Sequence, residues 1–257
     1  NGLMRILLTV LSFFVIEQIL SQQTHQAYPD NSPSIEDFQT MGVSSHKKVW
    51  TYSDYQTLIN VLDQIYEADK YSLPRLNSEF SGELFDRMTR FENYDYLADS
   101  DINLGKRVIE FEKLKEIPFR LTVYYIEDSE DFERFGAEVL ECFLLETYVF
   151  SLGKDLYDEL RIQLGERAEN SNFKQGYDAV NLKQINCIER LFRVLETDFE
   201  RYEEQALNSF GNKLYYLISN IKNESIRKQL KLRIKKIDRS HLTSSIKEIV
   251  NDLRNQL

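Results

Sequence analysis

The chain has 257 residues, 42% hydrophobic and 29% charged, which supplies enough apolar material for one sizeable core. Its net charge of −10 excludes a general nucleic-acid binder, because phosphate contacts need a basic surface. Only 9 glycines and 4 prolines are available to punctuate turns and break helices, so the composition favours long helices over many short strands.

Met4-Arg5 precedes an uncharged run, Ile6 to Ile16, that Glu17 closes. As a helix the run would span about 16 Å, roughly half a bilayer core. With the small residue Ser21 before Gln22-Gln23, it predicts a signal peptide over 1–21 and an exported protein, periplasmic or extracellular. Residues 22–46 are polar, contain Pro29 and Pro33 and show no period, and are expected to form a mobile leader. A single helical domain is expected over 47–257.

The first helical pattern places Tyr55, Leu58, Ile59, Leu62, Ile65 and Tyr66 on one face, with Ser53 as N-cap. A Pro-containing turn follows, and Ser81 is placed to cap a helix carrying Leu84, Phe85 and Met88.

In Leu97 to Phe111, residues Asp99, Asp101, Asn103 and Glu110 fall at positions 1, 3, 5 and 12 of a twelve-residue window. That is the oxygen spacing of an EF-hand calcium loop. The sixth position, which needs a residue tolerant of positive φ, is Leu104, at a cost of about 1 kcal/mol or more. The eighth position, usually apolar, is Lys106, and no second loop of this spacing occurs. The expectation is therefore a polar turn, with Ser100 or Asp101 capping a helix from Ile102, and no tight calcium site.

Residues 107–126 read as two helices broken at Pro118. The alternation of Leu121, Val123 and Tyr125 with Thr122, Tyr124 and Ile126 also fits a minor β-hairpin, although two isolated strands are marginal. From Asp131 to Arg167, apolar residues recur at helical spacing. Leu140, Leu144, Leu145 and Tyr148 widen the stripe until it covers most of the girth, which predicts a central helix packed on several sides, with a kink at Gly153. After a connection at Asn170–Gly176, a second pattern runs from Asp178 to Lys222, with Gly211 as a candidate interruption. Two long helices joined by a short loop predict an antiparallel hairpin. The fold class is all-α: this hairpin within a helical bundle, with shorter helices at both ends.

From Ile221 onward Lys and Arg number 10 and Asp and Glu number 4, whereas Glu127 to Glu204 holds 20 acids and 9 bases. Ile226, Leu230, Ile234 and Ile237 form an apolar stripe, with Lys228, Lys231, Lys235 and Arg239 away from its centre. The stripe is expected to dock on the chain's own core with the bases facing the acidic hairpin, giving no strong membrane binding.

No catalytic, cofactor-binding or metal-ligating residue is nominated. The three histidines, His25, His46 and His241, form no HExxH or ExxH pair, and GxSxG, Walker and GxGxxG motifs are absent. Cys142 and Cys187 lie in apolar surroundings on two different predicted helices and read as buried thiols, although export would also permit a bridge. Glu138, Glu141 and Glu146 on the central helix are expected to face solvent or pair with Arg190, Arg193 or Arg201. Tyr124-Tyr125 and Tyr215-Tyr216 are expected to pack in or beside the core. The functional expectation is a non-enzymatic interaction or structural module whose partner is another protein. The alternative is an enzyme or ligand carrier with a carboxylate-lined pocket between helices.

Overall fold

The computed structural model describes residues 30–127, 131–169, 171–221 and 223–256, and all regular structure among them is helical, with no strand. Residues 31–257 form one compact unit. The expected signal over 1–21, and residues 22–29 of the expected leader, lie outside the described residues.

The remainder of the expected leader differs from expectation: it is folded. Helix α1 (Ile35–Thr40) opens on Ser34, whose Oγ accepts from the Asp37 amide at 3.2 Å while Asp37 accepts from the Ser34 amide at 2.9 Å. Phe38 and Val43 are buried, and Gly42, at φ 91°, makes the left-handed turn that ends the helix. The Ile35 amide donates to Phe80 O at 3.1 Å, and the Ser81 hydroxyl donates to Ser32 Oγ at 2.7 Å. Six helical residues contribute too few apolar positions to show a period, which is why this segment reads as structureless.

Helix α2 (Tyr52–Asp69) buries Tyr55, Leu58, Ile59 and Leu62. Its cap is Thr51, two residues before the predicted Ser53: the Asp54 carboxylate accepts from the Thr51 amide and hydroxyl, both at 2.8 Å. Helix α3 (Gly82–Thr89) buries Leu84, Phe85 and Met88.

The β-hairpin alternative near 107–126 is overturned, since α4 (Leu104–Leu114) and α5 (Ile117–Tyr125) fill that stretch. Pro118 opens α5 rather than breaking a helix, because the missing N–H falls in the first turn, where no intrahelical acceptor exists. The apparent alternation resolves at helical spacing: Leu121, Thr122, Tyr124 and Tyr125 are buried while Phe119 and Val123 are exposed.

Helix α6 (Asp131–Leu164) is the hub, and every residue from 138 to 154 is buried. Helices α3, α4 and α5 pack on it, as do α7 (Ser171–Glu196) and α8 (Glu204–Asn220). Its irregularity sits at Phe135, with φ −116° and ψ 17°, not at Gly153. Gly153 has a packing reason instead: a Cβ there would lie 2.2 Å from Phe111 Cζ. The second long pattern breaks at 197–203 rather than at Gly211. The Thr197 and Asp198 amides both turn back to Arg193 O, and Phe199 and Tyr202 are buried in the turn.

Helix α9 (Glu224–Lys236) is capped by Asn223, whose side chain accepts from the Ile226 amide at 3.2 Å. Leu230, Ile234 and Ile237 are buried, so the predicted stripe docks on the core. Helix α10 (Ser244–Gln256) buries Ile246, Ile249, Val250 and Leu253. A Cβ at Gly211 would lie 2.6 Å from Ile249 Cγ2, so glycine permits the close approach of α8 and α10. Arg254 closes the far end of α9 by donating to the carbonyls of Ile234, Lys235 and Ile237 at 2.9–3.0 Å. No helix among the described residues is long and apolar enough to cross a membrane.

Candidate functional site

The burial of α6 over 138–154, and of Asp131 at its start, carries four acids inward: Asp131, Glu138, Glu141 and Glu146. An isolated buried carboxylate is costly, so each needs a cation or several donors. Lys70 Nζ lies 3.2 Å from Asp131, and Arg75 Nε donates to Glu138 Oε1 at 3.1 Å beside the Leu76 amide at 2.8 Å. Lys213 of α8 reaches Glu141 at 2.7 Å. Glu146, fully buried, takes two cations from α7: Arg190 donates to Oε2, and Lys183 Nζ lies 2.7 Å from Oε1. The Lys183 approach is off the hydrogen-bond direction and is an ion pair only.

Of the three arginines the sequence offered to these acids, Arg190 alone is joined to one by an ion pair; Arg201 instead covers the Phe132 ring at 5.4 Å. Burial pushes the Glu141 carboxyl above its ordinary range, against the pull of Lys213. These acids hold surrounding elements to the hub, and each of them already has a cation of this chain beside it.

The calcium-like spacing does not converge. Asp99 Oδ1 accepts from the Asp101 amide at 2.9 Å, Asn103 caps α4 through the Lys106 amide at 3.3 Å, and Glu110 pairs with Lys113 at 2.6 Å. The cap is thus Asn103, not Ser100 or Asp101, and the helix begins at Leu104. Leu104 has no positive φ, so the backbone lacks the turn that the loop requires. No group of three His, Cys, Asp or Glu among the described residues is placed to hold a metal.

Cys142 and Cys187 are free and buried. Burial pushes the Cys142 thiol well up and the Cys187 thiol up to about 12, so neither supplies a thiolate nucleophile at neutral pH. Lys154 donates to Asp158 at 2.5 Å and to Tyr177 OH at 3.0 Å, while Tyr177 OH donates to Asp158 Oδ1 at 2.8 Å. Burial alone would lower the Lys154 pKa, but these two bonds outweigh it and raise it. The amine stays charged, which removes it as a nucleophile.

The aromatic pairs separate. Tyr125 is fully buried and donates to Pro74 O at 2.8 Å, and Tyr124 donates to Asp63 at 2.5 Å. Tyr216, half-exposed, ends a stack in which Phe91 lies between it and Tyr148, with centroid distances of 6.2 and 4.4 Å.

One cleft, missed in the sequence, lies between α8 and α10. About 240 Å³ in volume, it is lined by Asn208, Asn212, Glu248, Asp252 and Gln256 over the Gly211 backbone. The spacing of four between Glu248, Asp252 and Gln256 was the available signal. All five residues are exposed, so the cleft is open to solvent. The outer face of α9 is the other open feature, where Lys228, Lys235 and Lys236 face solvent. Comparison of the chain with protein families, with curated proteins and with solved structures finds no match.

Proposed function

We propose that this chain is an exported, non-enzymatic interaction module whose buried interior is structural and whose outer helix faces meet another protein. The observation that carries the reading is the neutralisation of all four buried α6 acids by cations of the same chain. A catalytic pair of carboxylates needs one member reachable by substrate, and these acids sit under other elements. The reading includes α6 and α7 as an antiparallel hairpin within a helical bundle. It is supported by the order of their contacts: Glu146 with Arg190, Ser151 with Gln184, Lys154 with Tyr177, and Tyr157 with Phe173. Export draws on Met4-Arg5 and the apolar run behind it. The docking of the tail's apolar stripe on the core supports the absence of strong membrane binding.

The test is site-specific photo-crosslinking of the full chain in its exporting cell, from Phe119, Val123, Lys228 and Glu248, with N-terminal sequencing of the exported form. Adducts with one protein from one face, and a chain beginning near Gln22, are the expected result. A chain that retains Met4-Arg5 contradicts export, and adduct-free protein from every position contradicts the module. The second reading, an enzyme or ligand carrier with a carboxylate-lined pocket between helices, draws on Glu248 and Asp252 in the α8–α10 cleft. Saturable small-molecule binding that is lost in Asp252→Ala would favour it.

A further inference from the structure

The tail meets only part of its sequence expectation: its apolar stripe docks inward, but most of its bases form no ion pair with described acids. Among the bases of α9, Arg233 alone forms ion pairs with described residues, reaching Glu189 and Glu196 of α7. No described carboxylate lies within ion-pair distance of Lys228, Lys231, Lys235, Lys236 or Arg239. Arg239 donates to a neutral acceptor, Asn251 Oδ1, at 2.6 Å. Lys228 and Lys235 lie on the side of α9 opposite Leu230 and Ile234, and Lys231, half-buried, borders the same face at spacings of three and four. Leu232, 48% exposed, sits among them as an apolar centre.

Two acids flank this face. Glu224 stands one turn before Lys228, and Asp238 follows the helix with its carboxylate held by the Ser240 amide and hydroxyl, both at 3.0 Å. Neither meets the run from Lys231 to Lys236. Bases in the last turn do favour the helix dipole, but that accounts for Lys235 and Lys236 and not for Lys228, Lys231 or an exposed Leu232 between them.

We infer that the outward face of α9, formed by Lys228, Lys231, Leu232 and Lys235 with Lys236 and Arg239 at its end, docks an acidic segment of a partner protein. The inference rests on the interaction-module reading and names its partner class. Charge complementarity selects an anionic occupant, and the geometry selects its kind. An amphipathic helix enters a bilayer through its apolar face, and here that face is buried on the chain's own core. A wide anionic bilayer would also repel the remainder of a chain of net charge −10, whereas a narrow acidic segment senses mainly the charges within roughly 8–10 Å of it. A second copy of this chain would make a head-to-tail contact, which leaves the next basic face open and runs on into filaments unless it closes in a ring. A compact acidic segment with one apolar side chain for Leu232 meets all three conditions.

The probe is a fluorescein-labelled decapeptide of glutamates with one central leucine, titrated with the full chain by anisotropy. The expected result is saturable binding that weakens about tenfold between about 50 and about 300 mM salt, as an electrostatic contact should. The triple variant K231Q/K235Q/K236Q should weaken binding at least about tenfold with an unchanged melting temperature. Leu232→Ser should weaken binding of the leucine peptide but not of an all-glutamate control. Equal binding by the triple variant overturns the assignment of this face while leaving the module reading intact if crosslinks arise elsewhere. Co-sedimentation with phosphatidylglycerol vesicles at physiological salt, or self-association in sedimentation, lost in the triple variant, assigns the face to lipid or to a second copy and overturns the inference. Absence of both peptide binding and crosslinks sinks both proposals.

Discussion

Arg190 of α7 donates to Glu146 of α6 while its guanidinium covers the Phe143 ring at 4.0 Å. The carboxylate is fully buried and the arginine side chain is 20% exposed, so the pair joins the hub to its neighbour at the edge of water. Removing Arg190 leaves the buried acid with Lys183 alone, whose approach is off the hydrogen-bond direction, and a buried acid that loses a partner is costly. Arg190→Met should destabilise by about 3 kcal/mol, and a double-mutant cycle with Glu146→Gln should give a coupling above about 1 kcal/mol. Urea unfolding checks this, and additive effects would show that the two side chains do not meet.

Gly153 predicts an inversion of the usual rule. Glycine to alanine inside a helix ordinarily stabilises by about 1 kcal/mol. Here the new methyl would meet the buried Phe111 ring, so Gly153→Ala should destabilise by about 1–3 kcal/mol. Phe111→Leu in the same chain should recover part of the loss. A raised melting temperature for Gly153→Ala alone would displace α4 from this part of α6.

Asp54 predicts a pH dependence. Burial raises its carboxyl, but hydrogen bonds from Lys47 and Thr51 outweigh burial and hold it at about 2. A folded pKa below the unfolded value of about 3.9 gives stability that is full above pH 4 and lost as pH falls toward 2. The melting-temperature gap between wild type and Asp54→Asn should therefore narrow across that window. A constant gap would mean that the charge does not contribute. Glu141 has the opposite sign: burial raises its pKa, and its contribution declines as pH rises through the ordinary carboxyl range.

Truncation before Glu224 would expose the core surface that Leu230, Ile234, Ile249 and Val250 cover. The melting temperature should fall by several degrees, in keeping with loss of two amphipathic helices. Unchanged melting would detach α9 and α10 from the core.

The hub is legible because the α6 sequence is apolar over most of its girth, and a sequence states that directly. Leu144 and Leu145, which marked the width of the stripe, are fully buried. Features set by tertiary contact were not legible. Phe38 shows no periodicity in a six-residue helix, and that helix is tied to a distant segment, with the Ile35 amide donating to Phe80 O. Gly153 and Gly211 read as breakers, since nothing local reveals Phe111 or Ile249 against them. The sequence leaves Glu138, Glu141 and Glu146 to face solvent or pair with Arg190, Arg193 or Arg201; only Arg190 does so, and Arg75 and Lys213 arrive from elements far along the chain. The basic character of α9 was plain, yet which bases find acids depends on how far α9 rotates about its docked stripe.

Hydrogen exchange at the amides of 138–154 tests the central claim, that this stretch of α6 is a hub enclosed by the surrounding helices. Those amides should exchange only through global unfolding, with protection matching the unfolding free energy from urea. Exchange there as fast as at the exposed face of α9 would contradict a buried hub and the structural role assigned to its four acids.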